Sequence, residues 1–187
     1  MTQTETIISG FGGQGALFAG QVLAEAALQD DLHVTWLPSY GPEMRGGTAH
    51  CTVILSDDPI GSPIVQKPKV VMALNKPSVA KYEPLVREDG LLIVNSSLVP
   101  ESPTRQDIEV LLVPATAEAE SLGNSQLANI VMLGALLVRK KLVSDGAVQA
   151  ALEHKLSKKK DPDLVASNLQ ALARGRELAG EQVPKSV

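Results

Sequence analysis

The chain has 187 residues, 44% of them hydrophobic but only 3% aromatic, and a formal net charge of −4. A chain of this length buries roughly 70% of its unfolded surface and needs neither disulfide nor metal to fold. The acidic balance argues against nucleic acid as a partner, and the single cysteine, Cys51, cannot form an internal disulfide or hold an iron–sulfur cluster or structural zinc alone.

The N-terminus, Met-Thr-Gln-Thr-Glu, lacks the basic and apolar regions of a signal peptide, and no uncharged apolar run reaches about 18 residues. A cytoplasmic protein that does not contact a membrane is expected. The β-branched segment 6–9 predicts a strand, followed by Gly10-Phe11-Gly12-Gly13-Gln14-Gly15 and a helix over 16–29. Gly20 falls on the buried stripe of that helix, where a missing side chain allows close approach to a sheet. A second strand is predicted over 33–37, ending at Pro38. Residues 39–49 carry loop chemistry, with three glycines and a proline. Further strands are predicted over 50–56, 69–74, 91–94 and 108–113. Pro77 suits the first turn of a helix that Pro84 ends.

Helices are predicted over 115–122, 127–142, 146–156 and 163–179. Gly123-Asn124 stops the first of these, Arg139-Lys140-Lys141 closes the second, and Ser144 with Asp145 caps the third. The alternation of strands and helices predicts an α/β fold: a three-layer α/β/α sandwich, Rossmann-like, with a mostly parallel sheet. One or two strands are expected to be antiparallel, because the connection before Ala49 is short for a crossover helix. The whole chain, 1–187, reads as one domain in which 143–187 is a helical C-terminal extension.

Gly10, Gly12 and Gly15 match a dinucleotide-binding turn in letters. No acid follows the second strand to hold a ribose, so the NAD reading loses its second leg. Two readings remain: a turn that packs helix against sheet, or a turn with Gly13 and Gln14 that meets an anion or a partner. The segment Ser39-Tyr40-Gly41-Pro42-Glu43-Met44-Arg45-Gly46-Gly47 follows a strand, where α/β sheets place their sites. Arg45 with Gly46 and Gly47 either offers a guanidinium and free amides to an anion, or Arg45 braces the loop through Glu43. Asn75, the 95–97 run, Asn124 and Asn129 bind a ligand or partner, or cap turns. His50 and Cys51 are adjacent on a strand and therefore face opposite ways, which excludes a working dyad.

The two glycine-rich motifs, Gly10–Gly15 and Ser39–Gly47, together resemble the gamma subunit or gamma domain of the 2-oxoacid:ferredoxin oxidoreductases. The resemblance continues through Ile54-Leu55-Ser56-Asp57, Ile60-Gly61-Ser62-Pro63, Ala73-Leu74-Asn75 and Gly123-Asn124, and ends near Gly134-Ala135. The second motif is closest to the 2-oxoglutarate and branched-chain 2-oxoacid types. The resemblance implies a non-catalytic subunit with no cofactor of its own and no activity in isolation. It implies alpha, beta and delta partner subunits and transfer of electrons to ferredoxin. The assembled complex is expected to use thiamine diphosphate, iron–sulfur clusters and coenzyme A. Residues expected near coenzyme A are Gly10, Gly12, Gly13, Gln14, Gly15, Tyr40, Arg45, Gly46, Gly47 and Asn75. No catalytic or metal-binding residue is expected, and the isolated chain is expected to pair with itself. The alternative is a free-standing nucleotide- or coenzyme A-binding α/β protein.

Overall fold

The computed structural model describes residues 3–40, 48–157 and 162–181. Within them six strands and six α-helices follow in the order β1 (Thr4–Phe11), α1 (Ala16–Gln29), β2 (His33–Tyr40), β3 (Thr48–Ser56), β4 (Val70–Ala73), α2 (Lys76–Tyr82), β5 (Leu91–Asn95), β6 (Glu109–Val113), α3 (Ala115–Ser121), α4 (Ala128–Arg139), α5 (Asp145–Ser157) and α6 (Pro162–Glu181). The strands form one sheet in the order β2-β3-β1-β4-β5-β6. β3 runs antiparallel to both neighbours, while β1, β4, β5 and β6 pair in parallel. Five strands therefore point one way and β3 alone opposes them, which is the mostly parallel sheet expected.

The layers follow from strand alternation. Ile8, Val53, Met72, Ile93 and Leu111 face a thick helical layer, packed with Val22, Leu23, Val131 and Leu136. Ile7, Val71, Leu92 and Val94 face the opposite side, covered by Val79, Tyr82, Val86 and Val99. β4 and β5 are buried throughout, because both their faces are covered. The thin layer stops short of β2, where Leu37 is 49% exposed. The two C-terminal helices belong to the thick layer: Val148 and Leu152 of α5 and Ala171 and Leu172 of α6 lie in the same core.

Two helix contacts depend on glycine. A Cβ at Gly20 of α1 would lie 2.3 Å from Cys51 Sγ on β3, so the predicted close approach is present. α4 and α6 touch backbone to backbone. A Cβ on Gly134 would lie 2.1 Å from the Leu172 carbonyl oxygen, and one on Gly175 would lie 1.8 Å from that of Val131.

Some boundaries differ from expectation. β2 does not end at Pro38 but runs to Tyr40, with Pro38 opposite Cys51. β2 is the edge strand, and an edge position tolerates the missing N–H of proline. α4 does not span 127–142. A 3-10 turn at Ser125–Leu127 precedes it, and the helix stops at Arg139 because Lys140 is extended. Pro77 lies in the first turn of α2, and Pro84 opens a 3-10 turn at Glu83–Leu85.

Candidate functional site

The connections leaving β1 and β4 diverge. β1 leads into α1 on the thick side, whereas its parallel neighbour β4 leads into α2 on the thin side. Such a switch point opens a crevice beyond the carboxyl ends of the two strands, the usual ligand position in open α/β sheets. Gly10, Gly12, Gly13, Gln14 and Gly15 lie on one side of this crevice and Asn75 on the other.

The glycine turn is closed by its own atoms. Gln14 N–H donates to the Phe11 carbonyl at 3.1 Å. Gln14 Oε1 accepts from Phe11 N–H at 2.7 Å and from Asn75 Nδ2 at 2.8 Å. Asn75 is 3% exposed, and its Oδ1 accepts from Ser78 N–H at 2.9 Å as the N-cap of α2. The crevice is thus spanned by a Gln–Asn side-chain bridge. Gly13 and Gly15 adopt φ of 99° and 75°. At Gly15 a Cβ would also lie 2.2 Å from Asn129 Nδ2, which donates to the Gly15 carbonyl at 2.9 Å.

The neighbouring amides have structural partners as well. Asn95 is fully buried, and its Nδ2 donates to Thr116 Oγ1 at 2.8 Å. Asn124 Oδ1 caps the turn before α4 by accepting from Gln126 N–H. Ser9 Oγ and Ser78 Oγ are 2.9 Å apart and buried. Tyr40 closes β2, and the register places it beside Ala49 and, one strand further, Gly10. Arg45, Gly46 and Gly47 lie outside the described residues, in the sequence joining β2 to β3.

His50 and Cys51 face opposite sides of the sheet. His50 is half-buried against Tyr82, with ring centroids 5.6 Å apart. Burial, with the nearby Lys81 cation, lowers its pKa. Cys51 is fully buried under α1, its Sγ 3.6 Å from the Ala16 carbonyl. Burial pushes its thiol up to about 12, so it supplies no thiolate nucleophile. Sequence reasoning missed Gln126, Thr116 and Asn168, which approach the same end of the sheet from the 3-10 turn, α3 and α6. No local motif marks them, because the topology alone brings them together.

The chain is similar to the 2-oxoglutarate synthase subunit KorC of Methanothermobacter marburgensis, with 36% identity over 184 residues, covering 95% of this chain and 97% of that protein. It is also similar to the ketoisovalerate oxidoreductase subunit VorA of Methanothermobacter thermautotrophicus, with 35% identity over 177 residues and 94% of this chain covered. The chain spans 36% of the length of that VorA and 27% of its Methanothermobacter marburgensis counterpart. Among solved structures, the gamma subunit of a keto/oxoacid ferredoxin oxidoreductase from Geobacter sulfurreducens superposes with a TM-score of 0.82 at 32% identity, covering 95% of this chain and 99% of that one. The family model for pyruvate ferredoxin/flavodoxin oxidoreductase matches residues 5–178, well past Gly134 and into α6. With that match across nearly its whole length, the chain belongs to the pyruvate ferredoxin/flavodoxin oxidoreductase family.

Proposed function

We propose that this chain is the gamma subunit of a 2-oxoacid:ferredoxin oxidoreductase that acts on 2-oxoglutarate. The observation that carries the reading is the end-to-end match to a separate 2-oxoglutarate synthase subunit, 97% of whose length is covered. In this reading the alpha and beta subunits, with a delta subunit where present, hold thiamine diphosphate and the iron–sulfur clusters. Electrons leave those chains for ferredoxin. The gamma chain contributes a folded wall to the assembly and a contact to coenzyme A.

The geometry supports a structural role for the glycine turn. Gly10, Gly12, Gly13, Gln14, Gly15 and Asn75 form a tied frame at the crevice. We place the coenzyme A contact on Tyr40, Arg45, Gly46 and Gly47, because Tyr40 ends β2 opposite Ala49, which is itself opposite Gly10 of that frame. A guanidinium suits a phosphate, which the described frame residues, all uncharged, do not. The free-standing nucleotide-binding alternative is disfavoured, because the Gln14–Asn75 bridge spans the crevice such a ligand would enter.

The test is co-expression with candidate alpha and beta chains, followed by viologen reduction with 2-oxoglutarate, coenzyme A and thiamine diphosphate. The complex is expected to turn over and the isolated chain is not. Turnover by the purified chain alone would overturn the subunit reading.

A further inference from the structure

Three polar side chains gather on the thin side of the sheet, outside the glycine frame. His50 of β3 lies against Tyr82 at the end of α2, with ring centroids 5.6 Å apart. Lys81 places its Nζ 4.9 Å from the centre of the same Tyr82 ring. His50 pairs with Ser9 on β1 and with Ser39 on β2, the row adjoining that of Gly10, Ala49 and Tyr40. The cluster is therefore one residue step along the strands from Tyr40, where the coenzyme A contact is placed above.

These groups are not used up by the fold. Among the described residues no hydrogen bond or ion pair engages the Lys81 ammonium or the His50 ring, and the buried Tyr82 hydroxyl has no partner. A buried hydroxyl without a partner calls for an explanation. Three acids of the surrounding layer are already committed. Glu83, next to Tyr82, accepts from Thr104 N–H at 2.6 Å and from Arg105 N–H at 3.0 Å. Glu101 pairs with Lys76, and Glu5 with Arg87. Burial first, and then the charge of Lys81, lowers the His50 pKa. An anion beside both would reverse that balance, because it favours the protonated ring.

Charge selects the anion. With His50 protonated, it and Lys81 carry two positive charges, and both groups donate only. Coenzyme A offers two kinds of phosphate. Its diphosphate bridge carries one charge on each phosphorus, whereas its 3′-phosphate is a monoester with a charge of about −2 at neutral pH. The monoester matches the Lys81–His50 pair. The bridge suits the guanidinium and free amides of the Arg45–Gly47 sequence.

We infer that His50 and Lys81 form a phosphate-monoester site, which takes the 3′-phosphate of coenzyme A on the thin side of the sheet. The inference rests on the subunit reading above and adds to it two residues and the group they recognise.

The experiment titrates the assembled complex, without 2-oxoacid, with coenzyme A and with dephospho-coenzyme A by calorimetry. Wild type is compared with Lys81→Ala, Lys81→Arg and His50→Gln in this chain. Lys81 is exposed, so its variants are expected to melt with the wild type. Wild type is expected to prefer coenzyme A about tenfold or more, the range of a charged hydrogen bond. Lys81→Ala and His50→Gln are expected to lose most of that preference by weakening coenzyme A alone, and Lys81→Arg to keep it. A preference intact in both Lys81→Ala and His50→Gln overturns the inference and leaves the subunit reading standing. Equal weakening of the two ligands also overturns it, since the contact then lies elsewhere on the molecule. Glu43 is the one acid in the 41–47 sequence. If Lys81→Ala and Glu43→Gln lower the melting temperature alike while the preference is unchanged, Lys81 is an ion-pair partner and the inference is wrong. A wild-type complex that does not assemble removes the subunit reading, and the inference falls with it.

Discussion

Asn75 Nδ2 and Gln14 Oε1 meet at 2.8 Å across the seam between β1 and β4, joining residues 61 positions apart. One amide caps a helix on the thin side of the sheet, and the other ties the turn that enters a helix on the thick side. The bond therefore couples the two layers at the point where the chain diverges.

Asn75→Ala is expected to destabilise the free chain by about 1–3 kcal/mol, because it removes the cap of α2 and leaves the half-buried Gln14 Oε1 with one donor in place of two. A double-mutant cycle with Gln14→Ala is expected to show coupling of about 0.5–3 kcal/mol. Urea denaturation of the four proteins measures it. Additive losses would mean the two amides act independently.

The crossing of α4 and α6 gives a prediction of opposite signs within one helix. Gly175→Ala forces a Cβ onto the Val131 carbonyl and is expected to cost about 1–3 kcal/mol or more. Gly180→Ala, on the same helix with open space around it, is expected to gain about 0.5–1 kcal/mol. Thermal melts of the two variants should move in opposite directions.

Glu25 of α1 holds α5 through Lys155, 3.0 Å away, and through His154. Burial by itself would raise the Glu25 pKa, but the hydrogen bonds and charges of Lys155 and His154 outweigh it and the net shift is downward. A carboxylate with a lowered folded pKa contributes stability above its ordinary value of 4.5 and loses it as pH falls through the folded value. Glu25→Gln is therefore expected to be less stable than wild type at neutral pH, by about 1 kcal/mol or less for a largely surface pair. The melting curves of the two proteins should converge as the pH falls through the lowered folded pKa of Glu25. A difference that persists at low pH would point to packing rather than charge.

Arg45 belongs to the segment outside the described residues, and its prediction rests on sequence. Arg45→Lys and Arg45→Ala are expected to leave the melting temperature of the free chain within a few degrees of wild type. Both are expected to raise the Michaelis constant for coenzyme A in the assembled enzyme or to weaken assembly. Lysine should not rescue, because it lacks the planar fork of a guanidinium. Unchanged kinetics and assembly in both would reduce Arg45 to a brace for its loop.

Much of the fold was legible because its signals are local. The strand–glycine–helix unit at 4–29, the β-branched runs at 70–73 and 91–95 and the caps at Asn75 and Ser144 each carry their own pattern. Pro38 misled the end of β2, since proline breaks a central strand but not an edge, and sheet order cannot be read locally. The tail from 143 onward carried no recognisable motif, yet α5 and α6 supply core residues, because packing asks for apolar spacing rather than particular letters. At the candidate site, the glycines and Asn75 were singled out by their motifs. Their linkage through Gln14, and the approach of Gln126 and Asn168, depend on contacts between distant segments that no single stretch encodes.

Cys51 lies under α1 at the point where Gly20 lets helix and strand touch, and its thiol is held near pKa 12. Alkylation of the native chain should therefore proceed only through excursions that lift α1 from β3, and its rate relative to the unfolded chain measures the free energy of that opening. The protein carries a built-in clock for one seam of its sheet. Run on the free chain and on the assembled complex, that clock would report whether partner subunits tighten the whole domain or only the edge they touch.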